Sequence, residues 1–419
     1  MVIWDELPNA DVSDINVAHE LLCSIMSAPT STPFGGKTVL GLGDFRQIAP
    51  VVPGGCQAEI EAASLKSHKA LWRQARVHRL TEQIRAAEDE EHAMFVRRVG
   101  NGMEKKEDMV LHGELHNQIS PLLRSYNTHF DQEEACSAVW TPQVLHDIAQ
   151  DPACAQHLHQ RAVLSMRTKD VASINNQVLQ QAPGRAATFL SSTRVDTIDS
   201  NPELKAKSRG PHRSRLESGL SDERWLQGLQ DNSVPSHTLE LKPGCLCFLM
   251  RNLSVDEKAM NNSKVQIVTV ERQRSTSSQR KVYLAIRILA TGNLFYLGRM
   301  TFYFTTECGT RVCRKQYPLR LAYGMTVNRS QGQTLDFVCL DLRVPPFSHG
   351  QLYVALSRVR KKSRLIVLTI PEYARLVDAR RNTKRHDSRK RQNLGAGQAG
   401  SKYQYQACTY NVVYKRLLA

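Results

Sequence analysis

Long apolar runs are missing from this sequence. None approaches the roughly 18 residues that a membrane-crossing helix needs, and Met1 opens no signal-peptide pattern. C-x-x-C pairs are missing too, which removes the simplest zinc-ribbon and dithiol-redox readings. The ten cysteines are scattered. Cys308 and Cys313 with Cys245 and Cys247 come nearest to a metal spacing, but the latter pair falls in a strand-like run, "CLCFLM". The spacing reads as incidental, and free thiols of a reducing compartment are expected. Acidic residues are scarce beside basic ones, 40 Asp and Glu against 56 Lys and Arg, and the net charge of +16 favours a polyanionic partner. No internal repeat is present. The most consequential absence is a phosphate-binding loop: no G-x-x-x-x-G-K-[ST] occurs in the 419 residues.

One stretch imitates such a loop. "PFGGKTVLGLGDFRQIAPVVP" contains Gly35-Gly36-Lys37-Thr38. A true loop follows a strand and opens a helix whose N–H groups face the phosphates. Here Ser31 stands where the first glycine belongs, and Pro33 has no N–H to offer. Upstream, "AHELLCSIM" has helical spacing, and downstream "TVLGLGDF" is β-branched and apolar. The order is helix, connection, strand, so GGKT reads as a connection.

The chemistry gathers at two strand ends. "MVIW" is an apolar run that stops at Asp5-Glu6, and "TVLGLG" stops at Asp44-Phe45-Arg46-Gln47. Adjacent carboxylates at the end of a buried strand suit a magnesium–nucleotide site, Asp5 through the metal's water shell and Glu6 by orienting water. By itself the first pair is better described as an ordinary strand end with solvated acids, since an apolar run followed by Asp-Glu is common. A second strand end carrying Gln47, an amide able to reach a γ-phosphate, makes the combination more specific.

These stretches carry a resemblance. "IWDE", the Pro33-to-Pro53 stretch and "LTEQIR" resemble motifs of the petite-integration-frequency (Pif-type) helicases of superfamily one, which include Helitron-transposon helicases. "RTKDVASINNQVLQQAPG", "LKPGCLCFLMRNL", "QYPLRLAYGMTVNRSQGQTLDFVCLDL" and "FSHGQLYVALSRV" resemble later motifs of the same family in the same order. The resemblance covers roughly residues 1–100, 160–200 and 240–370.

It implies an α/β, RecA-like P-loop-NTPase helicase fold: part of a first RecA-like domain, a complete second one and a small inserted SH3-like β-barrel. It implies an ATP-dependent 5′-to-3′ DNA helicase using ATP and Mg2+ on single-stranded and forked DNA, in repair, recombination or telomere maintenance. Carried over, Asp5 binds metal, Glu6 activates water and Gln47 senses the γ-phosphate. Arg85 and Arg358 supply positive charge, while Gln331 and Gly332 couple the nucleotide cleft to DNA. Thr326, Asn328, Arg329, Ser330 and His349 are the candidate DNA contacts, His349 being equally readable as a structural histidine. The family's phosphate loop belongs upstream of "WDE", and its absence makes a truncated chain or a decayed copy the expectation. The competing functional class is a non-catalytic DNA-binding remnant of a Helitron-type helicase. Localisation is expected to be nuclear, with mitochondria as the alternative, and a monomer is the default.

The organisation expected is residues 1–80 for the first domain, 81–190 and 319–370 for the second, and 241–318 for the barrel. Residues 191–240 read as a disordered polar linker. Residues 371–419 read as a flexible basic tail ending in the family-like "NVVYKRLL". Its run over residues 380–391 suits non-specific DNA affinity, a solvated tail or nuclear import.

Overall fold

The computed structural model describes residues 1–80, 84–103, 107–111, 114–123, 127–196, 223–229, 231–273, 281–306, 309–370, 374–378 and 403–418. The basic run over residues 380–391, most of the polar stretch around residue 210, Cys308 and the "TEQ" of "LTEQIR" lie outside them. The chain divides into two compact units. One comprises Met1–Ala135, Val163–Asp170 and Met325–Ala419; the other comprises Cys136–Ala162 and Val171–Gly324.

In the first unit, Val2–Trp4 pairs in parallel with Val39–Gly41, Ile3 opposite Leu40. Between them runs the helix Val12–Ile25, opened by Asp11, whose carboxylate accepts the Ser13 N–H at 2.8 Å. Ile15, His19 and Cys23 form its buried stripe at i, i+4, i+8. Ile15 packs with Leu65 and Leu71 beneath Trp4, Leu7 and Phe34. The two strands were expected to be buried, and the structure corrects this: Val2, Ile3, Leu40 and Leu42 are exposed at 36%, 58%, 45% and 43%. The sheet has only two strands among the described residues, so its core covers one face.

A second sheet of this unit runs in the order Gly324–Thr326, Arg161–Ser165, Phe337–Asp341, Leu365–Leu368, Asn127–His129, the last three paired in parallel. Its apolar runs are buried residue after residue, as in a parallel sheet covered on both faces. The helix Glu90–Gly100 is capped by Asp89 and buries His92, Val96 and Val99. Met94, read as part of the apolar stripe, is exposed, because the buried face runs through His92, Val96 and Val99. Asp170 does not open its helix: Thr168–Gln181 has already begun, and Asp170 pairs with Arg167 at 2.8 Å. The tail also carries regular structure, the strands Ala374–Asp378 and Tyr403–Tyr410 and the short helix Lys415–Leu418.

The second unit holds the β-rich region. Leu294–Leu297, Lys281–Ile288, Lys264–Gln273, Leu246–Leu249 and Leu319–Leu321 make a five-stranded antiparallel sheet. Met300–Thr305, Arg311–Gln316 and Ser192–Val195 make a three-stranded one. Ser192–Val195, Glu223–Gly228 and the start of Thr238–Leu241 lie in the stretch read as a linker, yet are regular elements. The reason is Arg314. Buried at 1% exposure, it donates to the Leu226, Leu229 and Pro235 carbonyls and to Thr193 Oγ1, tying the stretch to the sheet. Phe302, Phe304 and Val312 complete the core with Leu226 and Val234.

Candidate active site

The first strand stops at Trp4 and the chain turns sharply. Glu6 has φ 53°, ψ 34°, a left-handed conformation that costs a non-glycine residue about 1–2 kcal/mol. Its neighbours enforce it. The Leu7 N–H donates to the Leu42 carbonyl at 2.9 Å, the Asn9 N–H donates to the Glu6 carbonyl at 3.0 Å, and Leu7 and Pro8 fill the space where Gly41 and Gly43 carry no Cβ. The Glu6 N–H donates to Asp5 Oδ1 at 3.0 Å, which holds the Asp5 carboxylate to the backbone of the strand end.

The second strand end is a compact turn. Asp44 accepts the Arg46 Nε–H at 2.8 Å on one oxygen and the Tyr353 hydroxyl at 2.7 Å on the other. The Arg46 guanidinium lies 5.2 Å above the Tyr353 ring. Burial works to raise the Asp44 pKa, but the Arg46 and Tyr353 bonds outweigh it and hold the carboxyl below its usual value. The Gln47 N–H closes the turn on the Asp44 carbonyl at 2.9 Å.

Facing these ends is the loop after Gly324–Thr326, a short 3₁₀ turn over Val327–Ser330. Arg358, at 2% exposure, shapes it. Its Nη1 donates to the Ser330 and Gln333 carbonyls at 3.1 and 3.0 Å, its Nε to Val354 O and its Nη2 to Ser357 Oγ. Burial, then the neighbouring charge of Arg85, pushes its pKa down to about 10. Arg85 is exposed, and it reaches Thr334 Oγ1 at 3.0 Å and the Ser357 carbonyl at 3.3 Å. Glu6 lies within electrostatic reach of this group. Burial and then Asp5 raise its pKa, Asp44 adds to the rise, and the Gln331 amide and Arg358 oppose it. The Gln331 amide is near enough to favour ionised Glu6, yet Glu6 Oε2 and Gln331 Nε2 are both buried without closing a hydrogen bond. Gln47 Oε1 is buried and unpaired as well.

The site therefore brings together Asp5, Glu6, Gln331, Arg85 and Arg358, with Gln47 on the turn that presents Asp44. Gly332 follows, exposed and at φ +75° with open space around it. The candidate DNA contacts divide. Asn328 is exposed, and Thr326 and Arg329 are partly so. Ser330 is buried and spends its hydroxyl on the Val327 carbonyl at 2.7 Å. His349 has no exposure: its Nδ1 accepts the Tyr414 N–H at 2.9 Å and its Nε2 lies 2.8 Å from the Phe45 carbonyl. Both nitrogens serve the protein interior, and burial lowers its pKa. Asp44, Arg46 and Tyr353 were not singled out from the sequence. The only available signal was their place inside motif stretches.

The donor set fits magnesium. Among the described residues no group of three or more His, Cys, Asp or Glu can hold a metal. Mg2+ in phosphoryl-transfer sites takes one or two carboxylates and completes its shell with water and phosphate oxygens, which Asp5 and the unpaired Glu6 Oε2 can supply. Lys37 sits outside this arrangement: it ends the 3₁₀ turn Pro33–Gly36 and leads into the strand Val39–Gly41, so no helix N-terminus follows it.

Residues 1–109 match the family model described as PIF1-like helicase. The human "ATP-dependent DNA helicase PIF1" is 32% identical over 212 residues, 50% of this chain and 28% of that protein. Its zebrafish (Danio rerio) namesake is 27% identical over 370 residues, 88% of this chain and 46% of that protein. The chain thus spans less than half the length of these relatives. A Pif1 helicase from Bacteroides, solved with ADP-AlF3 and single-stranded DNA, superposes with a TM-score of 0.53 at 17% identity, covering 89% of this chain and 73% of that one. That likeness gives the chain the RecA-like α/β fold of Pif1 helicases.

Proposed function

We propose, from the similarity of residues 1–109 to the PIF1-like helicase model and of longer stretches to the named PIF1 helicases, that the chain supplies part of the hydrolytic and DNA-tracking machinery of an ATP-dependent 5′-to-3′ DNA helicase. The observation that carries this reading is the pair Glu6 Oε2 and Gln331 Nε2, buried without a closed hydrogen bond and within electrostatic reach of Arg358, which in turn neighbours Arg85, with a further buried, unpaired atom, Gln47 Oε1, on the turn that presents Asp44. Buried polar groups without partners are costly, and such a set suits a polar ligand.

In this reading Glu6 orients the attacking water and Asp5 holds Mg2+ through water. Gln47 meets the γ-phosphate, and Arg85 brings an accessible cation to the charge that develops on transfer. Arg358 adds fixed charge and, through the Ser330 and Gln333 carbonyls, sets the shape of the loop that carries Gln331 and Gly332. Mg2+, when bound, neutralises phosphate charge. Ground-state grip on phosphates comes chiefly from a phosphate loop's N–H groups and lysine, and these 419 residues contain no such loop. Weak Mg-ATP binding and no unwinding by this polypeptide alone follow. A nuclear location fits the basic composition.

Asn328, Arg329 and Thr326 are proposed to meet DNA phosphates, consistent with the single-stranded DNA in the Bacteroides complex. Anisotropy titration with labelled single-stranded oligonucleotides of differing sequence tests this. Binding indifferent to sequence and falling steeply with salt is expected. Salt-insensitive binding, or none at low salt, overturns the DNA reading.

A further inference from the structure

The structure places a distant segment directly behind the Gln47 turn. Residues 411–418 follow the strand Tyr403–Tyr410 and clip onto three places in the first unit. Asn411 Nδ2 donates to the Val99 carbonyl at 2.9 Å, and the Gly350 N–H donates to the Val412 carbonyl at 3.2 Å. Lys415 donates to the Asn101 and Gly102 carbonyls at the end of the helix Glu90–Gly100. Tyr414 and Leu417 pack on Ala49, two residues after Gln47.

The link to the turn runs through His349. Its ring stacks on Tyr414, centroids 5.2 Å apart and planes 18° from parallel. Because Nδ1 accepts the Tyr414 N–H, the neutral ring must carry its proton on Nε2, and that proton is donated to the Phe45 carbonyl. Without the Tyr414 N–H the other tautomer becomes available, and it would set a lone pair against the Phe45 carbonyl. The turn is gripped again by Tyr353 on Asp44, and Gly350 lies so close to the Arg46 and Gln47 carbonyls that a Cβ there would overlap them.

We propose that residues 411–418 form a brace that positions the Gln47 turn by fixing the tautomer of His349. Its relevance to phosphate contact rests on the function proposed above, but the brace is read without nucleotide, so the two fail separately. The experiment is amide hydrogen exchange of residues 45–49 in the full chain, combined with ¹⁵N NMR of the His349 ring. The Nε2–H tautomer is expected in the parent. Tyr414→Pro, which has no N–H to offer His349 Nδ1, is expected to mix the tautomers and to speed exchange of the turn about tenfold. His349→Ala is expected to do the same to exchange, the double variant to do no more than either, and Tyr414→Phe to change nothing, since it keeps the N–H and the stacked ring. Additive effects, equal acceleration in the helix Val12–Ile25, or an unchanged tautomer in Tyr414→Pro would overturn the proposal. If His349→Ala does not fold, the tautomer in Tyr414→Pro still decides.

Discussion

Two pairs of parallel strands carry the candidate site, and they are built in opposite ways. Phe337–Asp341 and Leu365–Leu368 lie in a five-stranded sheet where Val338, Leu340, Val367 and Leu368 have no exposure. Val2–Trp4 and Val39–Gly41 pair only with each other among the described residues, and their apolar side chains face outward in part. Yet Glu6 and Gln47 sit at the ends of the exposed pair. Core burial does not hold these two residues in place. Turn geometry does, together with contacts to the segment around residues 347–358, which belongs with the buried sheet. A strand end can thus be shaped from across the site while its own strands remain thinly covered.

The comparison is broken or sharpened by mutation. Leu340→Ala should cost about 2–5 kcal/mol in urea unfolding, the usual range for a fully buried leucine, whereas Leu40→Ala should stay within about 0.5 kcal/mol. Equal costs would show that the two sheets are covered alike. Next in size, Tyr353→Phe leaves buried Asp44 Oδ2 without its donor and should cost about 1–3 kcal/mol, although Tyr353 lies more than 300 residues from Asp44. A neutral result would remove the cross-site grip.

The pH dependence separates the two carboxylates. Asp44 has a depressed folded-state pKa, so its contribution is present above the ordinary carboxylate value and is lost as pH falls through the lowered one. Glu6, raised, has the opposite sign: its protonation in the folded state favours folding as pH falls, by a smaller amount because the residue is half exposed. Acid titration of Tyr353→Phe should show a shallower loss than the parent, and an unchanged profile would contradict the Asp44 assignment. The smallest effect is expected at Glu6→Gly, which relieves the left-handed strain and should stabilise by up to about 1 kcal/mol.

Much of this was legible in the sequence, and the limits have physical causes. Asp5, Glu6 and Gln47 announce themselves because a strand end can be read from a few adjacent letters. GGKT could be placed between a helix and a strand for the same reason. The burial of the second sheet and the exposure of the first could not be distinguished, since "VIW" and "LIVL" are equally apolar and cover depends on distant chain. Arg358 and Arg314 are buried although arginines usually lie at the surface, because each finds carbonyl acceptors contributed by remote segments. His349 was readable either as a DNA contact or as a structural histidine, and the choice rests on its partners, Phe45 and Tyr414, which are 304 and 65 residues away.

The most direct test of the account is calorimetric titration of the chain with Mg-ATP, beside Arg85→Ala and Lys37→Ala. The account predicts weak binding, with Kd of about 1 mM or above, weakened further by Arg85→Ala and indifferent to Lys37→Ala. Tight binding destroyed by Lys37→Ala would make GGKT the phosphate loop and contradict the site described here.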